Sequence, residues 1–307
     1  MSSAARIFRS VHQKNIVQLF EGMSVRHSRW QIWQDWIVMS AIAVSNVCDS
    51  AHREKREETY RTLSSKYTES EMNVFSQMFA EMVQGMDVNT NQDFLGELFM
   101  GLELGNDHAG QFFTPYCICS AMAKLNAPDI PERVEEKGWI GVSDPACGAG
   151  ALLVAFANEC LEREINYQTS VLFVAQDIDF VVGCMCYLQL SILGCAGYVV
   201  IADSLRYPSV SYDSKGLIPV EDDNRDIWYT PFYFRTEWQM RRFAASMDIL
   251  SGSKSEKQEE HIADAGKKVE EQVEKPAPLP EPAKEEINQE NEQTVFNMTA
   301  TGQLTLF

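Results

Sequence analysis

Positive charge is what this sequence is short of. Against 44 aspartates and glutamates stand 26 lysines and arginines, a formal net charge of -18 over 307 residues. Duplex DNA is held mainly by Lys and Arg neutralising phosphates, so a chain this acidic is a poor solitary DNA binder. Any work on DNA would need a local basic patch or a partner. Long apolar runs are lacking too: the longest, Ile37 to Val47, is interrupted by Ser40, Ser45 and Asn46 and is too short to span a bilayer. No signal peptide opens the chain, and a cytoplasmic protein with no membrane partner is expected. Metal-type cysteine spacing is also missing. The eight cysteines include Cys117/Cys119 and Cys184/Cys186, each pair separated by one residue, and the five histidines do not cluster near them. Buried free thiols in a reducing compartment are expected, with no metal.

What is present divides by rhythm. From about Ala4 to Met100 the pattern is helical. Trp30, Trp33 and Trp36 recur every three residues and run on into Ile37, Met39 and Ala43, one face of an amphipathic helix. A tryptophan stripe could stack nucleobases, but beside aliphatics at helical spacing it reads as core. Met72, Phe75, Phe79 and Met82 mark a second such face. Between Gly138 and Ser204 strands and helices alternate. Trp139–Ser143, Val171–Ala175 and Tyr198–Ala202 read as strands, with helices over Ala151–Glu164 and Phe180–Leu193. That alternation predicts a parallel sheet with helices packed on it. A last helix is expected over Phe234–Leu250. Beyond Ser251 the chain turns to Lys, Glu, Gln, Ala and Pro, too poor in apolar side chains to offset ordering entropy, and is expected to stay disordered.

Two stretches carry chemistry. Asp144-Pro145-Ala146-Cys147-Gly148-Ala149-Gly150 follows the first expected strand. Its small residues let the backbone turn sharply and approach a ligand, and the next helix offers free N–H groups. Asp177 follows the second strand and Asp203 the third. The first of these acids can accept hydrogen bonds from ribose hydroxyls, as in dinucleotide-binding folds, and the second from an adenine amino group. All three would lie along the C-terminal edge of one sheet. Upstream, Gly110-Gln111-Phe112-Phe113-Thr114-Pro115 reads as a helix entrance: Pro115 at the start, Thr114 able to cap, and two aromatics able to wall a pocket.

In this order and near this spacing, the two stretches resemble those of the adenine-N6 DNA methyltransferases, especially the modification subunits of type I restriction systems. Asp93-Phe94-Leu95-Gly96-Glu97-Leu98 looks like the lead-in segment of that family. The resemblance covers roughly Asp93 to Leu205. It implies a Rossmann-like α/β sheet that binds S-adenosylmethionine. Phe113, Thr114 and Pro115 would flank the methionine part, Asp144, Pro145, Ala146, Cys147, Gly148 and Gly150 would form the central loop, Asp177 would hold the ribose and Asp203 the adenine ring. The domains implied are a helical region over 1–92, a methyltransferase-like domain over 93–250, a linker over 251–298 and a terminal peptide over 299–307.

The departures are as informative. That family activates its flipped adenine with an [N/D/S]-P-P-[Y/F/W] turn after a fourth strand, accepting from the amine and stacking on the base. No such tetrapeptide occurs here. The nearest candidate is Tyr229-Thr230-Pro231-Phe232, either a divergent catalytic turn or a strand end packing aromatics, with Asp226 nearby as a possible acceptor. The residues between Asp203 and Ser251 are too few for a full methyltransferase sheet and leave no room for a target-recognition domain. An incomplete sheet has an open edge, which the N-terminal helices or a partner chain would cover. Gln303-Leu304-Thr305-Leu306-Phe307 resembles the short peptide by which bacterial polymerases and repair proteins bind the sliding clamp, and makes Gln303, Leu304, Leu306 and Phe307 partner-binding candidates. Three readings result: an adenine-N6 DNA methyltransferase, a non-catalytic accessory protein docked on the clamp, or one subunit of a modification complex whose partner supplies specificity.

Overall fold

The computed structural model describes residue 8, residues 10–104, 113–126 and 129–251, and the pairs Asn297–Met298 and Leu304–Thr305. Its main unit begins with helices α1 (Val11–Met23), α2 (Arg29–Ser45), α3 (Arg53–Ser64), α4 (Glu69–Val88) and α5 (Phe94–Gly101). Local chemistry starts several of them. The Ser28 side chain accepts from Gln31 N–H at the head of α2. Thr68 and Glu71 form a reciprocal capping box on α4. Asp93 caps α5 by accepting from Gly96 N–H. Trp33 and Trp36 are fully buried, as their spacing predicts, while Trp30 at the head of the stripe is 39% exposed.

Helices α6 (Tyr116–Asn126) and α7 (Ile130–Lys137) lead into the sheet, followed by β1 (Ile140–Asp144), α8 (Ala151–Glu162), the short α9 (Tyr167–Ser170), β2 (Val171–Asp177), α10 (Phe180–Leu193) and β3 (Ala196–Ile201). Then come β4 (Asp226–Tyr229), a 3-10 turn over Pro231–Phe234, and α11 (Thr236–Leu250). The strand order is β1-β2-β3-β4. β1, β2 and β3 are parallel, and β4 runs antiparallel to β3. β2 and β3 are apolar along nearly their whole length because both faces are covered. On one face a continuous core joins Phe173, Val199 and Ile201 to α8, α10 and the N-terminal helices. On the other, Leu172, Tyr198, Val200 and Ile227 meet Tyr233 and Trp238 beneath α11.

Arg56 of α3 fastens the helical layer to the sheet. It is buried, pairs with Asp49 at 2.7 Å, donates to the Ile227 carbonyl of β4 at 2.8 Å, and lies over the Trp228 ring at 4.0 Å. The N-terminal region therefore covers the sheet at β4. At the other margin no strand pairs with the outer side of β1 among the described residues, and Gly141 and Ser143 there are exposed. Apart from this unit, Asn297–Met298 and Leu304–Thr305 form a two-stranded antiparallel ladder. Gln303, Leu306 and Phe307, like Gly110, Gln111 and Phe112, lie outside the described residues. Among the described residues no helix is long and apolar enough to cross a membrane, and no cluster of His, Cys, Asp or Glu could hold a metal ion.

Candidate functional site

Parallel register sets the three acids side by side. Asp144 lies opposite Ala175 and Asp177 opposite Ile201. Ala202 N–H then donates to the Asp177 carbonyl at 3.0 Å, which brings Asp203 to the next strand end. The loop after β1 is bound into this edge. Cys147 N–H donates to the Gln176 carbonyl at 2.9 Å, and Gly148 N–H donates to Asp177 Oδ2, also at 2.9 Å. Gly148 and Gly150 adopt φ of +54° and +95°, the left-handed region where a side chain is strained. A Cβ on Gly150 would lie 2.9 Å from Cys186 Sγ, and one on Gly148 would lie 3.3 Å from the Phe113 ring. Small residues here are thus required by close approach of the loop to α10 and of Phe113 to the loop.

Over the loop opens a cavity of about 230 Å³. Of the residues the sequence singled out, Phe113, Thr114, Asp144, Ala146, Cys147 and Gly148 line it, whereas Pro115, Pro145, Gly150, Asp177 and Asp203 are not among its lining residues. Asp93, Cys119 and Met122 line it as well. Pro115 starts α6 beside it: its carbonyl accepts from Ile118 and Cys119 N–H, and both Thr114 and Pro115 are exposed. Pro145 is an exposed loop residue. Asp177 borders the loop from β2. Its two oxygens accept from Gly148 N–H and Asp179 N–H, leaving lone pairs on each. Asp203 is partly used: Oδ1 accepts from Leu205 and Arg206 N–H at 3.0 and 3.3 Å, while Oδ2 faces Arg206 Nε at 3.7 Å.

The electrostatics are one-sided. Asp93 and Asp144 line the cavity, Asp177 borders the loop beside it, and among the described residues neither Lys nor Arg lines it. Burial, reinforced by the charge of Asp177, pushes the Asp144 carboxyl above the usual range, and burial does the same to Asp93. A ligand bearing a positive centre would relieve this crowding. The Cys147 thiol is pushed far up by its hydrogen bond with Cys186 and by burial, so it stays protonated and is no nucleophile. S-adenosylmethionine, with a sulfonium, an ammonium group and an adenosine, fits the chemistry of these residues: Asp93 and Asp144 would offset its positive groups, and a Cβ at Gly148 would press on the Phe113 ring that lines the cavity. Ile178 and Leu205, one and two positions after Asp177 and Asp203, are apolar side chains left 70% and 93% exposed.

One expectation is overturned. Tyr229, Thr230, Pro231 and Phe232 stand at the opposite end of the sheet from the cavity. Because β4 runs antiparallel, Tyr229 pairs with Tyr198, and Thr230 N–H donates to the Gly197 carbonyl, near the start of β3. At about 3.3 Å per residue that is roughly 15 Å from the strand end bearing Asp203. Thr230 is fully buried, its hydroxyl donating to the Cys195 carbonyl and accepting from Gly197 N–H. Tyr229 stacks on Tyr233 and donates to Glu221. Phe232 lies under the Arg235 guanidinium at 3.6 Å. These four residues close the base of the fold and do not act at the cavity. Asp226, at the other end of β4 opposite Ile201, accepts from Trp228 Nε1.

The model of the N-6 DNA methylase family matches residues 98–263, more than half of the chain. None of the curated proteins compared with it matches. A solved structure from Listeria monocytogenes, described as that of a class I S-adenosylmethionine-dependent methyltransferase, is similar with a TM-score of 0.33 and 13% identity. The likeness covers 69% of this chain and 56% of that one.

Proposed function

Because the chain belongs to the N-6 DNA methylase family, we propose that it holds the methyl donor for transfer to the exocyclic amine of adenine in DNA. Its cofactor is S-adenosylmethionine. When bound, that cofactor supplies an electrophilic methyl group on a sulfonium. Asp177 would accept from the ribose hydroxyls with the lone pairs its backbone partners leave free. Asp203 Oδ2 would accept from the adenine amino group between Ile178 and Leu205. Phe113, Thr114 and Pro115 would flank the methionine end above the loop from Asp144 to Gly150. The observation that carries the reading is that Asp93 and Asp144 line the cavity while, among the described residues, no Lys or Arg does.

Titration calorimetry tests it. Loss of a charged hydrogen-bond acceptor costs about 1.5–3 kcal/mol, so Asp177→Ala should weaken S-adenosylmethionine roughly 10- to 100-fold. No binding by the intact chain at millimolar ligand would dismiss the pocket.

Activation of the target base is assigned to a partner chain, since Tyr229–Phe232 lies far from the cavity. The unpaired outer side of β1, directly before the cofactor loop, would admit a strand from that partner. With labelled cofactor and unmethylated DNA, the isolated chain should transfer label slowly or not at all, and its DNA binding should be weak and strongly salt-dependent. Robust adenine methylation by the chain alone would remove the partner from this account. The displacement of Tyr229–Phe232 also favours a second reading, a non-catalytic accessory protein. In that case Gln303, Leu304, Leu306 and Phe307 would dock the chain on a sliding clamp behind its acidic tether, raising its local concentration near replicated DNA. A fluorescence-anisotropy titration of the last ten residues decides this. A peptide with Leu306→Ala and Phe307→Ala that binds as well as the native one would exclude the clamp.

A further inference from the structure

We propose that Asp93, on the floor of the cavity, receives the α-ammonium group at the amino-acid end of the cofactor. The inference rests on the cofactor reading above and names a contact made by a residue outside the Gly-rich loop and the strand ends.

Asp93 is 3% exposed, yet its side chain lines the cavity with Phe113, Thr114 and Asp144. One oxygen is fully engaged: Oδ1 accepts from Gly96 N–H at 3.0 Å and from Gln189 Nε2 at 2.8 Å. Among the described residues no hydrogen bond reaches Oδ2. No cation compensates the charge either, and none is near in the chain, because no Lys or Arg occurs between Lys66 and Lys124. Other buried acids are treated differently. Asp35 faces Lys66 at 3.2 Å, Asp49 faces Arg56 at 2.7 Å, and Glu159 faces Arg163 at 2.7 Å. Asp213 has no cation but accepts a backbone N–H on each oxygen. Asp93 alone of these combines a buried carboxylate, a missing cation and an oxygen without a donor.

A buried carboxylate in that state is costly unless a positive group arrives. The incoming group must donate hydrogen bonds as well as carry charge, and this separates an ammonium, with three N–H donors, from a sulfonium, with none. Position agrees. Phe113, Thr114 and Cys119 line the cavity together with Asp93, whereas Asp177 and Asp203, proposed above for the nucleoside, are not among its lining residues. The carboxylate is also aimed. Gln189 donates to both Asp93 Oδ1 and the Ala149 carbonyl and accepts from Leu95 N–H, so one amide locks Asp93 against the Gly-rich loop.

Asp93→Asn separates charge from architecture, because Asn caps a helix as well as Asp does. Calorimetry on the full chain would compare S-adenosylmethionine with 5′-methylthioadenosine, which lacks the amino-acid end. Asp93→Asn should bind S-adenosylmethionine at least about tenfold more weakly, as expected for loss of a charge-assisted hydrogen bond, while its affinity for 5′-methylthioadenosine stays within about twofold. Asp177→Ala should weaken both ligands, and a thermal melt of each variant confirms folding. Unchanged S-adenosylmethionine binding in Asp93→Asn, or equal loss of both ligands, would overturn the assignment while leaving the cofactor pocket standing. Failure of the unaltered chain to bind S-adenosylmethionine would overturn the pocket and the assignment together.

Discussion

The helical layer and the floor of the cavity bury the same chemical group and treat it in opposite ways. Asp49 is 2% exposed and Asp93 is 3% exposed. Asp49 is bound by Arg56 and by His52, and Arg56 reaches on to the Ile227 carbonyl and the Trp228 ring. Asp93 has amide donors only. In the first region the chain supplies its own cation and spends the interaction on holding two layers together. In the second it stops short of neutrality. A carboxylate whose charge is matched internally belongs to the architecture, whereas one left unmatched beside a cavity is matched to something from outside.

The widest break between the two regions is expected from Arg56→Ala. Removing one partner of a buried ion pair costs about 3–5 kcal/mol because the other charge stays buried. The free energy of unfolding in urea should fall by that amount. A loss below about 1 kcal/mol would show that water already reaches the pair. Gly150→Ala tests the loop from its strained side. A side chain at φ +95°, with its Cβ 2.9 Å from Cys186 Sγ, should destabilise the chain by roughly 1–3 kcal/mol in the same measurement.

A smaller and opposite signature belongs to Asp93. Burial raises its pKa in the folded chain above its unfolded value. Between those two values the folded chain holds more protons than the unfolded one. Stability therefore falls as pH rises through that window and levels off above it. Asp93→Asn should abolish this decline, so its unfolding free energy relative to the native chain should improve between mildly acidic and neutral pH. A difference that does not change with pH would place Asp93 in the same class as Asp49. The smallest effect on ligand is expected from Phe232→Ala. The far end of the sheet should lose some stability, but affinity for S-adenosylmethionine should not change in calorimetry. A marked drop would return Tyr229–Phe232 to the site.

The three parallel strands could be read from the chain because apolar runs bounded by turn residues are local signals. The loop from Asp144 to Gly150 could be read because close backbone approach demands small residues in succession. The direction of β4 could not. Asp226–Tyr229 is four residues long, and nothing in four residues says whether Tyr229 falls at the top or the base of the sheet. That single reversal moved the catalytic candidate to the wrong end. Asp93 was visible as the head of a motif, but its isolation from cations is a property of three-dimensional neighbours. Ile178 and Leu205 look like ordinary apolar residues until the fold leaves them uncovered beside the acids.

The unpaired margin of β1 bears on how firmly the cofactor loop is carried. β2 and β3 are clasped on both sides, whereas β1, from which the loop is suspended, is clasped among the described residues by β2 alone. With no partner strand there among the described residues, the amides on its outer side should trade hydrogen for deuterium sooner than those of its neighbours. A ligand gripped by the loop on one flank and by Asp177 on the other would act as a second seam between β1 and β2. The strand that presents the cofactor would then become rigid only once the cofactor is in place.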